Sequence, residues 1–165
     1  MLKALAAAIV LICSSAVAWA DNSSDCVNSK DWPTVIRACS AIIASRPREG
    51  WGYINRSYGY ERNKQYDLAL ADGNRGVELS PRDPQAYVNR AAAYIGLADY
   101  QRAVTDLNRA IQLNPGHSNA FVNRAYAHQK LGERDRAIAD YRRALEINPN
   151  ERYAADALDD LGVKP

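Results

Sequence analysis

Residues 84–117 read PQAYVNRAAAYIGLADYQRAVTDLNRAIQLNPGH, and the segments before and after them carry the same pattern. The pattern has a fixed period of 34 residues, which is marked by the prolines Pro47, Pro81, Pro115 and Pro149. Within each period one short stretch keeps its chemical type: YINRS at 53–57, YVNRA at 87–91 and FVNRA at 121–125. A period of roughly 20–50 residues is typical of a solenoid, so repetition is the first guide to the fold.

Each unit is predicted to fold as two antiparallel helices. The first helices are expected to begin near Gly50, Pro84 and Ser118, and the second helices near Tyr66, Tyr100 and Arg134. In the second helices two small residues lie seven positions apart, as Ala103 and Ala110 do, and therefore on one face. A small residue of the first helix, such as Ala91, faces them, so the two backbones can pack closely. Because one unit cannot bury its apolar face alone, neighbouring units must stack.

The 34-residue period, the early aromatic residue, the small residues and the closing proline together resemble the tetratricopeptide repeat of an exported bacterial type. The resemblance implies an all-α fold, a superhelical array of antiparallel helix pairs with a C-terminal capping helix. It divides the chain into a half-repeat at 21–49, repeats at 50–83, 84–117 and 118–149, and a C-terminal solvating helix within 150–165. The apolar side of that last helix is expected to hold Tyr153, Ala154, Ala157, Leu158 and Leu161.

The first full repeat departs from the pattern at two glycines. Gly73 stands where the other repeats have Leu107 and Tyr141, and Gly76 stands where they have alanine. Each glycine costs a helix about 1 kcal/mol relative to alanine. Either the tyrosines of this repeat fill the space left at Gly73, or the repeat is the soft point of the array.

The first twenty residues predict a secretory signal peptide that is cleaved after Ala20. They contain one positive charge at Lys3, an apolar stretch at 4–13 and a small-x-small triplet that ends at Ala20. The alternatives are an uncleaved membrane anchor and a lipoprotein attached through Cys13. The sequence therefore predicts a periplasmic or secreted protein of a Gram-negative bacterium, with no stable membrane insertion after cleavage.

Charge and cysteine content bound the partners further. After removal of Lys3 with the signal, 20 basic residues balance 19 acidic ones, so the net charge gives no electrostatic attraction for nucleic acid or anionic lipid. Cys26 and Cys39 remain, and exported thiols tend to oxidise, so a disulfide between them is predicted as a cap on the half-repeat. A redox pair or a metal site is the alternative, although the chain has no CxxC motif.

The sequence contains no catalytic motif among those we considered. His117 and His128 lie eleven residues apart without an HExxH motif, and neither GxSxG nor a glycine-rich phosphate loop occurs. We therefore predict no catalytic residue, no metal ligand and no cofactor. Both histidines are expected to have surface or satisfied roles.

The resemblance implies that a ligand binds the inner wall of the superhelix, which the first helices line. The inner-wall positions are Trp51, Ile54, Asn55, Tyr58, Arg62, Val88, Asn89, Ala92, Asn119, Val122, Asn123 and Tyr126. The ladder Asn55, Asn89 and Asn123 offers donors and acceptors that match the backbone of an extended peptide. The alternative is that these asparagines satisfy neighbouring helix backbone or face water.

Two further patterns accompany the ladder. Arg56, Arg90 and Arg124 precede Asp72, Asp106 and Asp140 by 16 residues in every copy, which predicts a structural ion pair between the two helices of a repeat. Some members of the family clamp a terminal carboxylate with lysines, an asparagine and an arginine. Asn89 matches the asparagine of that clamp, but Ile54, Tyr58, Asn119 and Asn123 replace its other members, so that specificity is not carried over.

These features favour a non-catalytic scaffold or adaptor that binds a peptide segment or a helix of a protein partner in the concave groove. We expect a monomer or a weak homo-oligomer. One alternative is a structural or assembly component of an envelope complex that uses the convex side and the terminal helix. The other is a binder of small molecules or glycans on the aromatic inner wall.

Overall fold

A computed structural model describes residues 22–164 of the chain as helices joined by short turns, with no strand in that range. Residues 22–28 are helical. The following helices are α1 (Trp32–Ser45), α2 (Gly50–Arg62), α3 (Tyr66–Leu79), α4 (Pro84–Gly96), α5 (Tyr100–Leu113), α6 (Ser118–Lys130), α7 (Arg134–Ile147) and α8 (Arg152–Asp160). The all-α superhelical prediction is confirmed, and the helices of the three full repeats begin at the predicted residues.

The helices pack as antiparallel pairs, α2 with α3, α4 with α5, and α6 with α7. The first helices α2, α4 and α6 also contact one another, whereas the second helices pack mainly on first helices. The array therefore curves with the first helices on its inner, concave wall. No helix within residues 22–164 has the length and apolar character needed to cross a bilayer.

Small residues hold each pair together as predicted. Ala91, Ala103 and Ala110 are fully buried, and Leu107 fills the space between them and the next repeat. At Gly73 the space is filled by the following helix and not by the tyrosines of the repeat: an added Cβ would lie 3.0 Å from Cβ and 3.1 Å from Cα of Arg90. The glycine therefore admits a close approach of α4 to α3.

The turn inside each repeat has one conformation. Lys64, Ala98 and Gly132 adopt positive φ values of 60°, 60° and 79°. In each turn the next N–H donates to the carbonyl five residues earlier, as Asp99 does to Tyr94 at 2.8 Å. This arrangement is a Schellman cap, whose left-handed residue is usually glycine.

Both ends of the array are closed. At α1, the Asp31 carboxylate accepts from the N–H of Thr34 at 3.1 Å. A disulfide joins Cys26 to Cys39 in a buried cluster with Val35 and Ala38. The predicted signal peptide, residues 1–20, lies outside the described residues.

At the other end, α8 buries Ala154, Ala157 and Leu158 against α6 and α7. Tyr153, which is predicted to lie on the apolar side of this helix, is 48% exposed. Its ring lies 6.4 Å from that of Tyr126 on α6, at the edge of the inner wall.

Candidate functional site

Two adjoining hollows of about 360 and 240 Å³ run along the inner wall. They share Glu61, Ala92, Val122 and Asn123, so they form one continuous channel, which we call the inner groove. The remaining lining residues are Tyr58, Arg62, Gln85, Val88, Asn89, Ile95, Asn119, Tyr126 and Tyr153. Apolar side chains lie there among amides, one carboxylate and one guanidinium, a composition suited to a ligand with both side chains and a polar backbone.

Most of the predicted inner-wall residues line the inner groove: Tyr58, Arg62, Val88, Asn89, Ala92, Asn119, Val122, Asn123 and Tyr126. Trp51, Ile54 and Asn55 do not. Trp51 packs against the disulfide cluster and donates its Nε1–H to Glu49 at 2.9 Å. Ile54 is only 4% exposed because Gly76 sits directly on it.

The three asparagines of the ladder have different roles. Asn55 donates from Nδ2 to the carbonyl of Trp51 at 2.9 Å, one turn back in its own helix. The buried Asn89 donates to the carbonyl of Ile54 at 2.8 Å and so joins two repeats. The side chain of Asn123, by contrast, makes no hydrogen bond to any residue within 22–164 and lines both hollows. Only this amide has both its donors and its acceptor open to a ligand.

A short hydrogen-bonded chain fixes the centre of the inner groove. Gln85 donates from Nε2 to Oδ1 of Asn89 at 2.6 Å, and its Oε1 lies 3.2 Å from Nε2 of His117. Burial lowers the pKa of His117, so the neutral ring that donates to Gln85 is favoured. The predicted satisfied role of His117 is confirmed by this contact.

Aromatic rings mark the two ends of the inner groove. Tyr58, 42% exposed, meets the ring of Trp32 edge-on at 5.5 Å. Tyr126 and Tyr153 lie at the opposite end, where they also line a further hollow of about 250 Å³ with Lys130, Asp156 and Asp160. An exposed ring supplies apolar contact area at low entropic cost, which is why tyrosine is common at binding surfaces.

The groove residues that sequence reasoning missed are Glu61, Gln85, Ile95 and Tyr153. Glu61 and Ile95 could have been predicted from the repeat, because they are equivalent positions, each one helical turn after a predicted inner-wall residue, Tyr58 or Ala92. Gln85 likewise occupies the register of the predicted Trp51 and Asn119.

Glu61 is unusual among these residues. It lines both hollows and is partly buried, and its carboxyl group makes no hydrogen bond or ion pair with any residue of the described range. Burial raises the pKa of this carboxyl group, and the nearby charge of Arg62 only partly opposes the effect. The desolvation of this carboxylate is thus only partly compensated.

The outer side of the array carries the arginine–aspartate pairs. Arg90 donates from Nε and Nη2 to both carboxylate oxygens of Asp106 at 2.7 Å, and from Nη1 to Asn74 of the preceding repeat at 3.2 Å. Arg56 and Arg124 repeat the geometry, with Ser40 and Asn108 as the third partners. The predicted ion pair between the helices of a repeat is confirmed, and the link to the preceding repeat adds to it.

A separate hollow of about 350 Å³ lies beside Arg124 on this outer side. His128, which lines it, is buried, and its Nδ1 lies 2.5 Å from a carboxylate oxygen of Glu133. The polar groups here are already paired with one another. Within residues 22–164, no cluster of three or more histidine, cysteine, aspartate or glutamate side chains is arranged to hold a metal ion.

Taken together, these features define a helical-repeat solenoid with a groove on its inner wall. A sequence model of the tetratricopeptide repeat family matches residues 84–117 and 118–151. Residues 84–151 therefore consist of two tetratricopeptide repeats. A search of curated proteins gives no match.

Solved structures agree with this assignment. The first tetratricopeptide domain of Spaghetti (RPAP3) bound to the HSP90 peptide SRMEEVD is 29% identical, with a TM-score of 0.65 over 68% of this chain and 90% of that chain. The second such domain of human RPAP3, in complex with the HSP70 peptide SGPTIEEVD, is 28% identical, with a TM-score of 0.62 over 68% and 93%. The thermophilic protein TTC0263 of Thermus thermophilus shares the fold, with a TM-score of 0.73 at 19% identity over 79% and 75%.

Proposed function

We propose that this protein is a non-catalytic interaction scaffold that holds a peptide segment or a helix of a partner protein in the inner groove. The observation that carries the proposal is the continuous channel along α2, α4 and α6, in which the amides of Asn119 and Asn123 make no hydrogen bond within residues 22–164 and several aromatic and aliphatic side chains are open to a ligand. Two similar domains are described as bound to peptides, which supports the same class of ligand here.

The side chains of the inner groove suit a polypeptide in two ways. The amide of Asn123 can both donate to and accept from one peptide unit of the ligand. Val88, Ile95 and Val122 form an apolar floor for side chains of the ligand. Asn55 and Asn89 are assigned mainly to the wall, since each already donates one Nδ2 hydrogen to a backbone carbonyl.

The decisive experiment is site-specific photo-cross-linking. A photoreactive side chain is placed at exposed Asn119 in the inner groove or, as the matched control, at exposed Arg109 on α5, outside the groove lining. Cross-linking in native envelope extract, followed by mass spectrometry, is expected to capture one polypeptide from position 119 alone. Capture from position 109 alone would contradict the groove proposal and favour the assembly role of the convex side.

The glycan or small-molecule alternative is tested by thermal shift, because a ligand that binds the native state must raise the melting temperature. Soluble glycans are expected to leave the melting temperature of the wild-type chain unchanged. A rise that is abolished by Tyr126→Ala would show that the aromatic wall binds them instead.

We also propose that the protein is exported to the periplasm or secreted, and that it works there as a monomer or a weak homo-oligomer. The disulfide between Cys26 and Cys39 supports this location, since such bonds persist in oxidising compartments. Intact-mass analysis of the protein from a periplasmic fraction is expected to give a chain that begins at Asp21 and carries an oxidised cysteine pair. A mass that retains residues 1–20 would contradict cleavage.

A further inference from the structure

The inner groove has only two charged lining residues in the two hollows, Glu61 and Arg62, and they are not equivalent. The guanidinium of Arg62 lies 5.5 Å from the ring centre of Trp32, so its charge is engaged with an aromatic face. The carboxylate of Glu61 makes no hydrogen bond or ion pair within the described chain, and the charge of the neighbouring Arg62 only partly offsets its burial. Arg62 keeps its charge but lines only one hollow, whereas Glu61 lines both, so a ligand that spans the two hollows meets the carboxylate in each of them.

Glu61 lies at a position where a ligand that fills the inner groove contacts its carboxylate. It projects from the last turn of α2 where the two hollows join, and both are lined by it. The equivalent positions in the next repeats are Ile95 and Gln129, so the charge occurs once along the wall. Partial burial disfavours an unpaired carboxylate, whereas a cation brought beside it restores its interactions.

We propose that the partner segment carries a basic side chain, lysine or arginine, between apolar residues, and that this cation pairs with Glu61 in the inner groove. This inference rests on the proposed function. Ile95 and Val122 would contact the flanking apolar residues, and the exposed ring of Tyr58 lies beside the same hollow. Charge complementarity would fix the register of the segment, because only one position of the ligand can place its cation at Glu61.

This polarity is opposite to that of the peptides in the similar solved structures. Both of those peptides end in the sequence EEVD, which carries three acidic side chains. In this chain such a peptide would bring carboxylates toward Glu61, and like charges in a partly desolvated site repel. Tyr58, Asn119 and Asn123 are uncharged, and Arg62, which lines only one of the two hollows, is the single cation of the inner groove that could offset this repulsion.

The test uses a positional-scanning library of short peptides, acetylated and amidated at their ends, with binding to the wild-type chain measured by fluorescence anisotropy. Lysine or arginine is expected to be preferred at one internal position. Glu61→Gln should weaken binding of the best lysine peptide roughly tenfold and leave its glutamine analogue unaffected. Glu61→Lys should reverse the preference toward glutamate. Glu146→Gln, the same charge change on the exposed end of α7, should alter neither.

Each result has a distinct meaning. If peptides bind but basic and neutral ones bind equally, or if Glu61→Gln keeps the preference for lysine, the inference is overturned while the proposed function stands. If no peptide of any composition binds, both fail. Peptides with a free N-terminus test whether a terminal amine, and not a side-chain cation, pairs with Glu61. If only these peptides bind more tightly to the wild-type chain than to Glu61→Gln, the assignment to a lysine or arginine side chain is overturned.

Discussion

Single residues in the turns of the repeats carry measurable backbone strain. Ala98 is exposed and has a φ of 60°, so the turn requires a left-handed backbone there but no particular side chain. Such a backbone costs an L-residue roughly 1–2 kcal/mol, whereas glycine adopts it freely at some cost in unfolded-state entropy. We expect Ala98→Gly to raise the free energy of unfolding by about 0.5–1 kcal/mol in urea titrations.

The matched control for this substitution is Ala139→Gly, at an exposed position inside α7. There the same change should lower the free energy of unfolding by about 1 kcal/mol, because helical glycine is unfavourable. Equal destabilisation by both variants would show that the turn at Ala98 is not left-handed in solution.

Glu61 links single-residue electrostatics to function through the pH dependence of stability. Burial raises its pKa in the folded state, so the favourable contribution of its protonated form is present below the ordinary glutamate pKa of about 4.3 and is lost as the pH rises through the folded pKa. We therefore expect Glu61→Gln to raise the melting temperature at about pH 7 and to have little effect near pH 3. A residue that lowers stability in this way is common at binding sites.

Thermal unfolding of both proteins across this pH range checks the prediction, with Glu146→Gln as the control for net charge. A lower melting temperature of Glu61→Gln at neutral pH would mean that the carboxylate has a favourable partner in the free protein. That result would also remove the reason for a cationic ligand.

The sequence register predicted which residues are equivalent but not what each of them does. Asn55, Asn89 and Asn123 share one register position, yet two of them donate to backbone carbonyls, whereas the side chain of Asn123 makes no hydrogen bond within residues 22–164. The difference arises from their neighbours, since the asparagine of the second repeat meets the helix before it at Ile54. A pattern within one repeat cannot contain contacts that depend on the adjacent repeat.

Between elements, the arginine–aspartate pairs join three helices at a time. Asp106 is 6% exposed and accepts both of its short bonds from Arg90, which also reaches Asn74 on the preceding second helix. We expect Arg90→Ala to lower the free energy of unfolding by about 3 kcal/mol, because it leaves an unpaired buried carboxylate. Arg90→Lys should recover only part of the loss, since lysine cannot form the bidentate pair.

Urea titration gives the free energy of unfolding of these variants and of the double variant Arg90→Ala/Asp106→Ala. Their comparison measures the contribution of the Arg90–Asp106 ion pair to stability. The double variant should be more stable than the single one, because the unpaired charge is gone. Arg109→Ala, at an exposed position on α5, serves as the control and should change stability by less than about 0.5 kcal/mol. A loss of that small size for Arg90→Ala would show that the pair does not hold the helices together.

The helices themselves were predictable because a 34-residue period places caps, small residues and prolines in register three times over. Gly73 was not, because its role depends on how closely α4 approaches α3. A glycine in place of a leucine or tyrosine suggests a void within one repeat. The observed contact with Arg90 belongs to the interface between repeats, and spacing along the chain does not specify that distance.

The whole molecule behaves as a one-dimensional stack, in which each unit is stabilised by its neighbours and the ends require caps. At the N-terminal end the cap is the cluster around the disulfide Cys26–Cys39, against which Trp32 and Trp51 pack. Closing this loop stabilises the folded state by roughly 3 kcal/mol in the chain-entropy view. Reduction should therefore loosen the N-terminal end without unfolding the C-terminal repeats.

Hydrogen exchange followed by mass spectrometry tests this on the reduced wild type and on Cys26→Ser/Cys39→Ser. Amides of α1 and α2 are expected to exchange faster, while those of α6 and α7 keep their protection, because the stack transmits stability mainly between neighbours. Tyr58 lines the inner groove and meets the ring of Trp32 on α1, so the same loosening should weaken peptide binding. Uniform faster exchange along the chain would show instead that the array unfolds as one cooperative unit, and the groove would then depend on the disulfide only through global stability.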